Sequence, residues 1–142
     1  MGRIVPKSSW MTLTVIGAAS ILMGVIFVAL RPLVVLLPED QRYTSVTVEQ
    51  LRAHSPALFA WIGMVFRSWG AFAIGMGILV IGISVSAYRH GERWAWWSLA
   101  VAGLTTFGIF LSVNLALGSD FRWVIAALCG AYIWALWKGR RS

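Results

Sequence analysis

The clearest shortage in this sequence is of charged residues, and above all of acids. Only 12% of the 142 residues are charged and five are Asp or Glu, whereas a soluble domain usually has about 25% charged residues. Hydrophobic residues make up 59% of the chain, which indicates a membrane protein. The long apolar runs contain no acid, so the sequence argues against the small four-helix multidrug exporters, which need an intramembrane carboxylate.

Cysteine and histidine are also scarce. Cys129 is the only cysteine, so it can form no intrachain disulfide, and we interpret it as an apolar packing residue. His54 and His90 are predicted on opposite faces of the membrane, so one chain cannot bring both to one metal. Either could be a single axial ligand to a pigment or haem shared with a partner, although an outer-helix histidine for His54 and a solvated turn for His90 are simpler interpretations. We predict no metal site and no cofactor.

Catalytic groups are missing as well. The serines in the apolar runs have no histidine or lysine near them at depth, so no activated nucleophile is indicated. The glycines of "GAFAIGMG" lie within a predicted helix and lack the strand-turn-helix context of a phosphate-binding loop. The sequence therefore predicts no catalytic residue.

Four apolar segments are long enough to cross a bilayer, at residues 10–30, 57–87, 94–117 and 121–137. About 20 helical residues span the hydrocarbon layer, so the fourth segment is just sufficient. The first is too long for a signal peptide core and lacks a cleavage site, and we interpret it as a retained helix. We predict an all-α fold with one integral membrane domain over residues 1–142, a four-transmembrane-helix bundle.

Charge is distributed unevenly between the two predicted sides of the membrane. One side carries Arg3, Lys7, Arg89, Arg93, Lys138, Arg140 and Arg141 against one acid, Glu92, and the other side is close to neutral. The positive-inside rule then places both termini in the cytoplasm. We attribute the net charge of +7 to topology and to contact with membrane lipids, and predict no nucleic-acid partner.

The segment between the first two predicted spans should lie at the outer surface. Arg31 and Pro32 should end the first helix, and Pro38 with "EDQRYTS" predicts a turn. Thr47 and Gln50 form a capping-box pattern that predicts a short amphipathic helix near residues 48–54. Ser55 should cap the second long helix, with Pro56 at its first position.

Small residues at four-residue spacing indicate helix packing in membranes. Such pairs occur in all four predicted helices: Ala71 and Gly75, Ala73 and Gly77, Gly82 and Ser86, Ser20 and Gly24, Gly108 and Ser112, Ala126 and Gly130. The second helix has the most of them. We therefore predict that it is the central packing element, and a homo-oligomer is compatible with the pattern.

The turn "GERWAWW" between two glycine-rich spans, followed by "LALGSDF", resembles a group of uncharacterised small bacterial four-helix membrane proteins. The resemblance covers roughly residues 50–137. It implies the fold and a location in the bacterial inner membrane, and it implies no activity. Members of the group often have a histidine late in the third span, where this chain has Asn114.

Arg67 is the only charged residue in the interior of a predicted span, since Arg122 lies at the very start of the fourth. Counting about 20 residues back from the inner end of the second helix places Arg67 at the outer boundary, level with Asn114 and Asp120. We predict that Arg67 pairs with Asp120, or otherwise with Glu39 or Asp40, the alternative being an arginine satisfied by lipid and water. With Trp69, these residues form a candidate outer polar site.

Two functional hypotheses follow. The first is a non-catalytic subunit that packs against a larger membrane complex or assists its assembly, because the deep ionisable groups of an enzyme or transporter are missing. The second is a binder, carrier or enzyme for a lipid or another lipophilic molecule at the outer end, where Arg67 and Asp120 would hold an anionic headgroup.

Overall fold

The computed structural model describes residues 4–141, without the side chain of Arg141. Arg3 and the Arg141 side chain, both counted in the charge pattern, lie outside the described residues. The described chain is helical, with no strand, which confirms the all-α prediction. Its six α-helices are α1 (Lys7–Ala29), α2 (Pro38–Thr44), α3 (Val48–His54), α4 (Pro56–Ile83), α5 (Arg93–Leu117) and α6 (Arg122–Arg141), with a π-helical turn at Ser84–Tyr88 after α4.

Three of the described helices are long and apolar enough to cross a membrane. They are α1 with 23 residues, α4 with its π-helical turn at 33 residues, and α5 with 25 residues. α6 has 20 residues, but its first residue and its last turn are cationic, so its apolar part is shorter than about 20 residues. The chain is therefore a multi-pass membrane protein.

The helices run alternately between two ends of the molecule. At the terminal end lie the start of α1, the π-helical turn, residues 89–92 and the end of α6. At the loop end lie α2, α3 and the turn between α5 and α6. These two names are used below without assigning either end to a side of the membrane.

The predicted turn after Pro38 is wrong, because these residues form α2. Pro38 is the first helical residue, where no backbone donor is needed. Asp40 Oδ2 accepts a hydrogen bond of 2.8 Å from the Leu37 amide, which satisfies a free backbone donor before the helix. Ser45 ends α2 in the left-handed conformation, with φ of 56°.

The predicted caps of α3 and α4 are confirmed. Thr47 Oγ1 accepts from the Gln50 amide at 3.2 Å, and Gln50 Oε1 accepts from the Thr47 amide at 2.9 Å. Ser55 Oγ accepts from the Leu58 amide at 3.2 Å. These pairs form because each depends only on residues three apart in sequence.

The closest helix packing joins α1 to α4 through glycines that face one another. A Cβ atom added to Gly24 would lie 2.6 Å from the Gly70 carbonyl oxygen, and one added to Gly77 would lie 2.5 Å from the Gly17 carbonyl oxygen. No side chain fits there, so the backbones are in direct contact. Along α4 and into the π-helical turn, small buried residues recur every seven positions, at Gly63, Gly70, Gly77 and Ser84, and this spacing keeps them on one stripe.

The packing predicted from four-residue spacing is therefore largely wrong. A Cβ on Gly75, Gly82, Gly108 or Gly130 would meet nothing within 4 Å. The central helix is α1 and not the second long helix, because α1 packs against both α4 and α6 while α5 packs chiefly against α6. α5 and α6 are adjacent, as the short turn between them predicts.

At the terminal end the π-helical turn brings Tyr88 into the bundle. Its hydroxyl lies 2.8 Å from Ser9 Oγ and donates to the Ala135 carbonyl oxygen at 3.1 Å. Ser9 Oγ donates to the same carbonyl. Three segments of the chain are thus joined at a site from which water is excluded, since Tyr88 is only 1% exposed.

We expect Tyr88→Phe to lower the free energy of unfolding by about 1 kcal/mol, because it removes a hydroxyl that bonds to two other helices. Thermal unfolding in detergent, followed by tryptophan fluorescence, should show a midpoint a few degrees lower. Tyr43→Phe is the matched control, since Tyr43 is 67% exposed on α2 and should unfold like the native chain. Equal midpoints for the two variants would contradict the assignment.

Candidate functional site

The four residues of the predicted outer polar site do not form one polar cluster. Asp120 Oδ1 pairs with Arg42 at 2.8 Å, with both side chains exposed. Arg67 is exposed and forms no ion pair with any described residue, so the predicted pair with Asp120 is wrong. Asn114 Nδ2 donates to the Phe110 carbonyl oxygen of its own helix at 2.8 Å.

Trp69 is a packing residue between helices. Its ring centroid lies 4.2 Å from that of Phe27 on α1 and 5.4 Å from that of Phe110 on α5. Phe66 joins the same cluster through Phe27, at 5.8 Å. These aromatic rings connect α1, α4 and α5 near the loop end, where α4 and α5 otherwise have few contacts.

A different arginine, Arg31, occupies the polar position under the loop end. It is only 9% exposed, and its NH2 atom pairs with Asp40 Oδ2 at 2.9 Å. Its NH1 atom donates to the carbonyl oxygens of Val34 and Val35 at 2.9 and 3.1 Å. Its guanidinium carbon lies 4.2 Å from the ring centroid of Phe66, a cation–π distance. Arg31 therefore holds α2 against the ends of α1 and α4.

Glu39, an alternative predicted partner of Arg67, is 4% exposed and contacts another residue instead. Its Oε1 atom accepts a hydrogen bond from Ser119 Oγ at 3.3 Å. Ser119 follows α5, so this bond links α2 to the turn before α6. With Asp40 paired to Arg31, none of the three acids proposed for Arg67 is its partner.

The two histidines lie at opposite ends of the molecule. His54 is exposed at the end of α3 and lines an open groove of about 440 Å³ together with Val46, Gln50 and Leu51. His90 Nδ1 lies 2.6 Å from the Ser86 carbonyl oxygen, within its own turn. Among the described residues, no group of three His, Cys, Asp or Glu side chains is placed to hold a metal.

Sequence reasoning named Arg31 and Glu39 but missed their partners, which are Asp40 for Arg31 and Ser119 for Glu39. The sequence did contain a signal for the pair of Arg31 and Asp40. Arg31 ends a span and precedes a proline, and Asp40 follows nine residues later, two residues after Pro38. The polar groups under the loop end bond to one another and to backbone carbonyls. Their arrangement can fix residues 31–55 on the bundle.

Comparisons with known proteins give no match. No family model matches the chain, and neither the curated proteins nor the solved structures include a similar one. The resemblance of the "GERWAWW" turn to small bacterial membrane proteins therefore stays a prediction, and function has to be argued from the geometry.

Proposed function

We propose that the protein is a non-catalytic, multi-pass membrane subunit that packs against a larger membrane complex, or helps to assemble it, through one face of α5. The observation that carries the proposal is that the second half of α5 has no buried residue. Its buried residues are Ala95, Leu99, Ala100 and Gly103, all in the first half. From Leu104 to Leu117 no residue is buried.

The second half of α5 has one exposed face with the composition of a helix-packing surface. Thr105, Gly108, Ile109 and Ser112 recur at spacings of three and four residues, so they share one face, and all four are exposed. We call them the α5 face. Helices in membranes associate through small and hydroxylated residues rather than through large apolar ones. A helix face that contacts only lipid does not need small or hydroxylated residues, yet three of the four residues of the α5 face are of this kind.

The proposed topology has four spans, with α6 as the fourth and both termini in the cytoplasm of a bacterium. In support, α6 packs antiparallel to α5 and α1, which is the arrangement of a membrane bundle. The cations at the end of α6 and in residues 89–93 lie at the same, terminal end as Lys7. An excess of Lys and Arg at one end is typical of the cytoplasmic side.

The alternative function, a lipid or lipophile site at the outer end, has less support. It requires Arg67 and Asp120 to share a ligand, whereas Asp120 pairs with Arg42. The buried Arg31 is already bonded to Asp40 and to two backbone carbonyls. An anionic headgroup would have to displace these bonds.

A large side chain on the α5 face should release the partner without disturbing the fold. We expect Gly108→Leu to reduce co-purification of a stoichiometric membrane protein in mild detergent by about tenfold, since bulk prevents close backbone approach. Mass spectrometry of the purified complex measures the partner. The internal packing should survive, because a Cβ on Gly108 would meet nothing within 4 Å.

Gly75→Leu is the matched control for Gly108→Leu. Gly75 is also an exposed glycine within a long helix, with open space around its Cβ position, but it lies on α4. The proposal expects the partner to remain bound to this variant. Loss of the partner from both variants, or from neither, would contradict a role for the α5 face.

A further inference from the structure

A small cavity opens at the terminal end, away from the α5 face. It has a volume of about 200 Å³ and is bounded by the N-terminal segment, the turn before α5, the first turns of α5 and the end of α6. Its lining residues are Val5, Tyr88, Gly91, Glu92, Arg93, Trp96, Trp97, Gly139 and Arg140. Three segments distant in sequence therefore contribute to one site.

The described lining includes two cations, which come from different helices. Arg93 begins α5 and Arg140 lies in the last turn of α6. Arg93 is exposed and forms no ion pair with any described residue. Among the described lining residues Glu92 is the one acid, and it pairs with neither Arg89 nor Arg93 in the described ion pairs. Arginine presents a planar fork of donors that suits phosphate and carboxylate groups.

The rest of the lining is rigid and partly aromatic. Trp96 is fixed because its Nε1 atom donates to the Leu136 carbonyl oxygen at 3.0 Å. The guanidinium carbon of Arg140 lies 5.4 Å from the Trp96 ring centroid, and Trp97 packs edge-on against Trp96 at 4.8 Å. Tyr88, whose hydroxyl is bonded to Ser9 and Ala135, forms a buried wall. Tryptophan side chains of this kind lie at the headgroup level of membranes.

The volume limits what the cavity can hold. At about 200 Å³ it is smaller than the roughly 300–1,000 Å³ of sites that enclose drug-sized ligands. Two arginines and an indole wall at the end of membrane helices therefore suit one compact anionic group.

We infer that this cavity binds the phosphate group of an anionic molecule, with Arg93 and Arg140 as its ligands. The phosphate can belong to a lipid headgroup or to a soluble phosphate compound, since both present the same oxygens to a guanidinium group. The inference is independent of the α5 face, which lies on the other half of α5.

The test uses the full chain, reconstituted in nanodiscs of equal parts phosphatidylglycerol and phosphatidylcholine and analysed by native mass spectrometry. The native chain should retain one phosphatidylglycerol in preference to phosphatidylcholine. We expect Arg93→Gln and Arg140→Gln each to reduce this retention by about tenfold, because each removes a charge-assisted hydrogen-bond donor. Glu92→Gln should increase it, since it removes the one negative charge among the described lining residues. Circular dichroism checks that each variant is folded.

Millimolar inorganic phosphate then separates the two sources. Displacement of phosphatidylglycerol from the native chain would identify a soluble phosphate ligand, and failure to displace it would identify the lipid headgroup; either supports the cavity. Lys7→Gln is the matched control, because Lys7 is an exposed cation at the terminal end outside the lining. If Lys7→Gln lowers retention as much as Arg93→Gln, or if the native chain shows no preference for phosphatidylglycerol, the inference is overturned.

Discussion

Replacing Gly70 with alanine is expected to destabilise the protein by about 1–3 kcal/mol, the usual cost of adding volume to a packed interior. The added Cβ would lie 2.6 Å from the Gly24 carbonyl oxygen and 2.8 Å from Val28 Cγ2. The first of these atoms is backbone and cannot rotate away. The whole of α1 would have to move outward, and the Gly17–Gly77 contact one stripe position away would loosen with it.

Gly75→Ala should instead stabilise the protein slightly. Gly75 lies five residues further along the same helix, and its Cβ position meets nothing within 4 Å. Alanine there loses less backbone entropy on folding, which favours the helix by roughly 0.5–1 kcal/mol. The two substitutions have identical chemistry, so their difference isolates the contact between α1 and α4.

Thermal unfolding in detergent measures both variants. Gly70→Ala should unfold at a lower temperature than the native chain, and Gly75→Ala at the same or a slightly higher temperature. Gly77→Ala and Gly82→Ala form a second pair with the same expectation, because Gly77 faces Gly17 while Gly82 faces open space. Similar midpoints within both pairs would show that the α1–α4 contact is not held by backbone approach.

The bounds of α1, α4 and α5 could be predicted because they depend on local properties. Apolar length determines a span, and the caps at Thr47 and Ser55 depend on residues three positions away. The start of α2 at Pro38 follows similar local rules, but its polar composition indicates a turn equally well.

The helix interfaces could not be predicted to the same degree. Gly63, Gly70, Gly77 and Ser84 form one seven-residue series on α4, and Gly75 and Gly82 have the same spacing on another face of the helix. Sequence spacing alone does not say which series meets α1, because that choice depends on how complete helices fit together. In lipid, an apolar side chain gains little free energy from facing another helix rather than acyl chains. Hydropathy therefore does not show which face of a helix is packed.

The prediction of the outer polar site was wrong because it, too, depends on how distant parts of the chain fit together. Counting residues predicts the depth of Arg67 in the membrane, but the partner of a charge depends on how residues 31–55 fold over the loop end. Once α2 forms, Asp40 lies beside Arg31 and Arg42 lies beside Asp120. A depth estimate cannot choose between these arginines.

The buried pair of Arg31 and Asp40 is expected to contribute far more to stability than the exposed pair of Arg42 and Asp120. We expect Arg31→Ala to destabilise the protein by about 3 kcal/mol, because breaking a largely buried pair leaves a carboxylate without its cation and with little access to water. The side chains of Arg31 and Asp40 are only 11% and 17% exposed. The substitution also removes the donor to the Val34 and Val35 carbonyl oxygens and the contact with the Phe66 ring.

Arg42→Ala is the matched control, since the side chains of Arg42 and Asp120 are 57% and 60% exposed. An ion pair with that exposure is expected to contribute less than about 1 kcal/mol, and salt should weaken it further. Thermal unfolding at low and high salt compares the two arginines. A large, salt-insensitive loss for Arg31→Ala and a small, salt-sensitive loss for Arg42→Ala would agree with the assigned burial, and equal losses would contradict it.

The double variant Arg31→Met, Asp40→Leu separates the cost of an unpaired charge from the value of the pair itself. If most of the loss in Arg31→Ala comes from the stranded Asp40 carboxylate, replacing both partners with apolar residues should recover a large part of the stability. Asp40 also accepts from the Leu37 amide at 2.8 Å, so recovery should be incomplete. The part that stays lost then measures the bond from the Leu37 amide to Asp40 together with the bonds of Arg31 to Val34 and Val35 and its contact with the Phe66 ring.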